Sequence, residues 1–326
     1  MMIFDSIIEH LNKITGDHGK CILFGNSLTA KLDKKGFYGI SDKPAESKIA
    51  FIDGGNADLM DAANFSLQLV RVYYTIYQNN KRIKSQKQEF YVLVAAKSKD
   101  GKIVYKIETF NTTMKLEHEF DSLDNTLIDG GHRAEPSKIA EAIRKFAELK
   151  IAAGVIDELG EGDILVRDGD LDCCITHEKE YLDALKEKAD KKGVMVCGMS
   201  KTTRIITDTG SSVIAALNAL APEGEWVYPA LPNISFAKLH KNASHIFRLD
   251  VFDYKHLEKI LPLLKANSID PCFLGYPYGM IEADRFARIT HKEREQLRLV
   301  FMSKGGNRFR SFVASMDAHD DLNKIF

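Results

Sequence analysis

The chain has 326 residues, 44% of them hydrophobic, enough for one large domain or one domain with a subdomain. Its 45 basic and 46 acidic residues leave a net charge of −1, which excludes any global electrostatic pull toward nucleic acid and makes such a contact local. The five cysteines show no CxxC spacing and no paired histidine spacing, which argues against a zinc site and equally against a disulfide framework. Met1-Met2-Ile3-Phe4-Asp5 lacks the basic and apolar regions of a signal peptide, and no apolar run approaches the ~20 residues that cross a bilayer. A protein of the cytoplasm is expected.

In chain order, Ile3, Phe4, Ile7, Ile8, Leu11 and Ile14 at helical spacing predict an amphipathic N-terminal helix within residues 1–20. A Gly- and Lys-rich passage from Gly25 to Lys48 reads as connection. Ile49-Ala50-Phe51-Ile52 then runs into Asp53-Gly54-Gly55, a buried strand expected to end at an acid. Phe65 to Tyr77 alternates as a half-buried strand, and Asn79 to Lys87 reads as a solvated basic loop. Phe90–Val94 and Ile103–Ile107, joined across Ser98-Lys99-Asp100-Gly101, form a hairpin. The first third is thus an antiparallel meander.

Residues 112–134 are polar connection. Pro136 opens a helix carrying Ile139, Ile143, Phe146 and Leu149 to about Leu159. The opening pattern then recurs: Ile164-Leu165-Val166-Arg167 runs into Asp168-Gly169-Asp170-Leu171. A charged helix over Glu178–Lys192 leads to a third strand, Val194–Gly198, ending near Ser200-Lys201. Strand, helix, strand at this length implies a right-handed crossover and parallel pairing. A short helix (211–221), edge or extension strands at Ser235–Leu239 and His245–Val251, and helices over Tyr254–Ala266 and Met280–Met302 complete the core, followed by an acidic tail at Met316–Asp321.

This element order resembles the ribonuclease H-like fold, an α/β mixed sheet of antiparallel meander and parallel strands flanked by helices. Its polynucleotide enzymes converge strand-end and helical carboxylates on divalent ions, which hold the attacking and leaving oxygens of an in-line displacement at phosphorus. More specifically, Asp53-Gly54-Gly55, Asp168-Gly169-Asp170-Leu171, Gly198-Met199-Ser200-Lys201, and Gly275-Tyr276-Pro277 through Ala283-Asp284-Arg285 resemble, in order, the motifs of the NurA nuclease family. The resemblance covers residues from about 45 to the C-terminus, as a single domain over 1–326.

The resemblance implies metal ligands at Asp53 and Asp168, a helical glutamate best matched by Glu148 with Glu141 two turns earlier as the alternative, and a metal-proximal tyrosine at Tyr276. The family's position eight residues later is often histidine in archaeal members and is Asp284 here, which leaves the metal preference open while keeping an oxygen ligand. It further implies Mn²⁺ or Mg²⁺, with two ions expected, a homodimer, and a HerA-type hexameric ATPase as partner. The implied activity is 5′-to-3′ exonuclease and single-strand endonuclease action on DNA in end processing and repair. Lys201 and Arg204, just beyond the third strand, are candidate phosphate contacts. The competing readings are a surface glutamate for Glu148, a packed tyrosine for Tyr276, a salt bridge to Arg285 or Arg288 for Asp284, and a helix-start surface role for Lys201 and Arg204. His291, Arg285, Arg288 and Arg294 could line a DNA path, although a solvated helix face is the simpler role for most of them, and Tyr73, Tyr74 and Tyr77 could stack on bases, although sheet packing is theirs. Two other functions stay open: an inactive adaptor of the same family, and an actin-like ATPase or sugar kinase. The latter would need a second phosphate loop, for which Gly305-Gly306 is a poor candidate.

Overall fold

The structure is a computed structural model and describes residues 2–25, 28–43, 46–116 and 118–313; the acidic tail lies outside them. In chain order the elements are α1 (Met2–Thr15), β1 (Cys21–Phe24), β2 (Leu28–Lys31), β3 (Tyr38–Gly39), β4 (Ile49–Ala62), β5 (Phe65–Gln78), β6 (Lys81–Lys99), β7 (Lys102–Phe110), β8 (Glu119–Asp121), α2 (Pro136–Val155), β9 (Ile164–Asp168), α3 (Glu178–Lys192), β10 (Met195–Ser200), β11 (Ile206–Thr207), α4 (Val213–Leu220), β12 (Trp226–Leu231), β13 (Ile234–Lys238), β14 (Phe247–Val251), α5 (Leu257–Asn267), α6 (Tyr278–Ala287) and α7 (His291–Val313).

Eleven strands form one mixed sheet in the order β3-β12-β13-β14-β10-β9-β4-β5-β6-β7-β8. Antiparallel pairs run through the β4–β8 meander, whereas β9 pairs parallel with both β4 and β10. The α2 and α3 helices cover one face over Ala50, Ile52, Leu165 and Val196, and α5 and α6 cover the other over Phe51, Val166, Cys197 and Met199. Period-two alternation along the central strands therefore buries both faces, as parallel strands require. Gly279 lets α6 lie directly on β4, since a Cβ there would collide with the Phe51 ring.

Several expectations change. Asp53-Gly54-Gly55 is not a strand end: β4 continues to Ala62, paired with β5 throughout. What stops at this point is the parallel neighbour, because the β4–β9 register closes at Ile52↔Arg167. Phe65–Tyr77 is buried on both faces rather than one, since α2 and α6 flank β5. The supposed loop 79–87 is a tight turn at Asn79-Asn80, both in the left-handed region (φ 51° and 56°), followed at once by β6. That is a two-residue hairpin in which both central residues take φ > 0. β13 and β14 are interior strands, β14 lying between β13 and β10. The predicted Met280–Met302 helical stretch is two helices, broken over Arg288–Thr290. Gly305-Gly306 lies inside α7 at a kink, not in a strand-to-helix phosphate loop. The passage before β4 holds the short strands β1 and β2, which join β11 in a separate three-stranded sheet.

Candidate metal centre

The two aspartates meet because of register. Phe51 stands opposite Val166 and Ile52 opposite Arg167, so Asp53 and Asp168, one position further along each strand, project together on the α6 face. Met199 on β10 pairs with Asp168, and Lys201 two residues later keeps the same side. From above, α6 brings Asp284. Ligand oxygens of Asp53, Asp168 and Asp284 lie within 4.8 Å of one another. Asp53 is buried, while the Asp168 and Asp284 side chains are 22% and 49% exposed, which leaves the cluster open toward solvent. A cleft of about 540 Å³ runs over it, lined also by Glu148, Arg144, Lys145, Arg167 and Asp170.

Glu148 arrives from the opposite face. It is buried on α2, and its carboxylate lies over Gly54, where any Cβ would collide with it. The glycine is the aperture through which α2 reaches the aspartates. Arg144, one turn earlier, pairs with Glu148 and donates to the Gly54 carbonyl at 2.9 Å, while Arg167 reaches the other Glu148 oxygen at 3.5 Å. Glu141 is exposed and does not line the cleft. Arg144 and Arg167 were not singled out from the sequence. Arg144 carried a signal in its i, i+4 spacing to Glu148, whereas Arg167 read only as a strand residue.

The electrostatics are those of a cluster short of positive charge. Burial, then the charges of Asp168 and Glu148, push the Asp53 carboxyl up to about 8. The Gly54 amide, donating to Asp53 Oδ1 at 2.7 Å, offsets only part of that. Lys201 places its ammonium between Asp168 Oδ2 (2.9 Å) and Asp284 Oδ1 (2.5 Å), and the two carboxylates outweigh its partial desolvation and hold its pKa above the ordinary value. Asp284 thus pairs with Lys201 rather than with Arg285 or Arg288. Tyr276 is buried with its hydroxyl unpartnered among the described residues, and its pKa is raised by burial and by the charges of Asp168, Asp53 and Asp284. A buried hydroxyl with no protein partner beside three carboxylates fits a ligand position.

The remaining candidates fall elsewhere. Arg204 is exposed and does not line the cleft. Arg294 donates to the Asp58 carbonyl at 2.7 Å, holding α7 to β4. Tyr73 and Tyr77 point into the core and donate to Glu282, and the Tyr74 hydroxyl donates to Glu158 at 2.6 Å with Gln86 also beside it, so the tyrosine cluster is sheet packing.

No protein-family model and no curated protein matches the chain. Among solved structures, it is similar to the NurA nuclease from Sulfolobus solfataricus, with a TM-score of 0.54 at 14% identity over 93% of this chain and 94% of that one. It is similar also to a NurA crystallised with manganese, with a TM-score of 0.50 at 9% identity over 92% of this chain and 98% of that one. Endonuclease V from Ciona intestinalis is a more distant match, at a TM-score of 0.40 and 11% identity over 90% of this chain and 99% of that one. The NurA matches thus place the fold in the ribonuclease H-like class. Within that class its architecture is that of the NurA structures, along nearly the whole chain.

Proposed function

We infer that this chain is a divalent-metal-dependent DNA nuclease. The observation that carries the reading is the convergence of Asp53, Asp168 and Asp284 from three separate elements in a cleft of this fold, with Glu148 behind them. The donor set is all carboxylate oxygen, which suits hard ions such as Mn²⁺ or Mg²⁺. The raised Asp53 carboxyl indicates that Lys201 offsets only part of the burial and of the acid charge around it. Asp53, Asp168 and Asp284 would hold the ions, with Glu148 as the further carboxylate. Bound there, such ions supply Lewis-acid stabilisation of an in-line displacement at phosphorus.

The chain's own groups do the rest. The Tyr276 hydroxyl, free of protein partners among the described residues, donates to a phosphate oxygen. Lys201 offers its ammonium to the phosphodiester once the carboxylates are otherwise engaged, and Arg204 is a more distant contact on the same connection. Arg144 and Arg167 orient Glu148. At the finer level we propose two ions, 5′-to-3′ exonuclease and single-strand endonuclease activity in DNA-end processing and repair, a cytoplasmic homodimer of single-domain chains, and a HerA-type hexameric ATPase as partner. These rest on the sequence resemblance together with the fold. Among the described residues no helix is long and apolar enough to cross a membrane.

A second reading has one specific observation in its favour. The Lys201 ammonium already bridges two of the acids, as it would in an inactive adaptor where lysine replaces the cation. The deciding experiment is degradation of end-labelled single- and double-stranded DNA with Mn²⁺, Mg²⁺ or EDTA, beside Asp53→Ala and Asp168→Ala. Metal-dependent cutting lost in both folded variants supports the nuclease. No cutting with any metal, with or without a HerA-type ATPase, leaves the adaptor.

A further inference from the structure

A second group of ligand-bearing side chains stands apart from the acid cluster. His118 lies on the connection just before β8, and His177 and Glu180 lie at the start of α3. One donor atom from each falls within 4.8 Å of the others. These segments are about 60 residues apart in sequence, and both rings pack beside Phe120 at the rim of the core. We propose that His118, His177 and Glu180 form a binding site for a borderline divalent transition ion of the Zn²⁺ class, fastening the connection before β8 to the start of α3.

Four features favour an ion over an incidental pair. The ligand chemistry is two imidazoles and one carboxylate, which suits zinc and its neighbours rather than the hard ions that prefer all-oxygen sites. His118 Nε2 is hydrogen-bonded to the Tyr181 hydroxyl at 2.6 Å, an outer partner that fixes the ring and leaves Nδ1 for a ligand. His177 is held with φ 72°, a left-handed backbone uncommon outside glycine and found where a side chain must be aimed. The spacing of His177 and Glu180, three residues apart, puts them on one side of the first turn, where His177 Nδ1 lies 3.1 Å from Glu180 Oε1.

The two rings are stacked, with centroids 4.4 Å apart and planes inclined by 22°. A shared ion has to lie near the plane of both imidazoles, so binding requires one ring to turn about its Cβ–Cγ bond. His177 is the one able to do so, its side chain being 29% exposed while His118 is packed against Phe146 and Tyr181. The inference is independent of the nuclease reading.

The test is Zn²⁺ binding by isothermal titration to the full chain, in an Asp53→Asn/Asp168→Asn background that removes the acid cluster as a competitor. One equivalent should bind, and His118→Ala or His177→Ala should abolish it while circular dichroism shows each variant folded without metal. Tyr181→Phe should weaken it by on the order of 10- to 100-fold, as loss of an outer partner does. Zn²⁺ should raise the melting temperature of the background protein and not that of the histidine variants. Binding unchanged by both histidine substitutions, or absent from the background protein, overturns the site. Should either alanine variant fail to fold, His177→Gln takes its place, with the same two outcomes.

Discussion

Two buried carboxylates, Asp53 on β4 and Glu282 on α6, lie on the same side of the sheet and are treated in opposite ways. Glu282 is surrounded by donors: the hydroxyl of Tyr73 at 2.6 Å, that of Tyr77, and the Arg82 guanidinium at 2.8 Å. Those hydrogen bonds outweigh burial and hold its pKa below the ordinary carboxylate value. Asp53, directly opposite Tyr73 in the ladder, receives one backbone amide and faces two further acids, and its carboxyl is pushed up to about 8. The first arrangement fastens α6 to β5. The second is stable only if a proton or a cation joins it, which is the property expected of a metal centre.

The largest effect that would break this comparison is catalytic. Asp53→Asn keeps the shape of the side chain and removes its charge. It should cut metal-dependent cleavage by on the order of 10³-fold, the loss of several kcal/mol of transition-state stabilisation. The same substitution should raise the melting temperature of the metal-free protein, because it relieves like-charge repulsion. Glu282→Ala should do the reverse to stability, lowering it by about 3 kcal/mol in denaturant titration as two buried hydroxyls lose their acceptor. A fall in metal-free melting temperature for Asp53→Asn would mean the acid cluster is a satisfied structural network after all.

The pH dependence separates the same two groups. Asp53, with a folded pKa of about 8 against 3.8 unfolded, favours the fold most below pH 4 and withdraws that support as pH rises from about 4 to 8. Glu282, with a folded pKa below its unfolded 4.5, supports the fold above that value and loses its contribution as pH falls through the folded pKa. Metal-free melting should therefore sag toward pH 8 in the wild type and less so in Asp53→Asn. Added Mn²⁺ should restore it most at the alkaline end, since ligand carboxylates must be deprotonated to bind. An equal Mn²⁺ shift at pH 5 and pH 8 would count against Asp53 as a ligand.

Gly54→Ala tests the aperture. The added methyl would meet the Glu148 carboxylate, which cannot withdraw freely while Arg144 and Arg167 hold it. Overpacking of this kind costs about 1–3 kcal/mol, so a matching loss of stability and at least tenfold slower cleavage are expected. Wild-type rates in Gly54→Ala would show that Glu148 has no part in the chemistry.

The sequence made the elements of this centre legible better than their ends. Asp53 read as a strand terminus because two glycines follow it, and glycines usually punctuate. In the structure they serve close approach instead, and the strand runs nine residues beyond Asp53 to Ala62. The alternation that aims Asp53, Asp168 and Lys201 at one point is present in the sequence, but the register between strands is not, and convergence depends on register. Glu141 and Glu148 could not be told apart by periodicity: seven residues return to within about 20° of the same helix face. Depth along α2 decides between them, and depth is a tertiary quantity. The β1, β2 and β11 strands, two to four residues each, are too short to show a period.

The smallest expected effect is also the one that bears on how the centre is kept when no ion is bound. Lys201 neutralises Asp168 and Asp284 in two ion pairs, and the lysine and Asp284 are both substantially exposed, so each pair is screened and contributes at most about 1 kcal/mol. If the ammonium is a placeholder for a cation, Lys201→Gln should tighten Mn²⁺ binding in the absence of DNA by roughly two- to fivefold, the factor that energy corresponds to. It should also raise KM for DNA, because the same ammonium is then missing from the phosphate. Calorimetry and cleavage kinetics would read these two shifts separately. The adaptor reading expects another pattern: Mn²⁺ bound only by Lys201→Gln and not by the wild type, with neither protein cutting DNA. In that case lysine would be the permanent counter-ion of the acids rather than a group that gives way to metal.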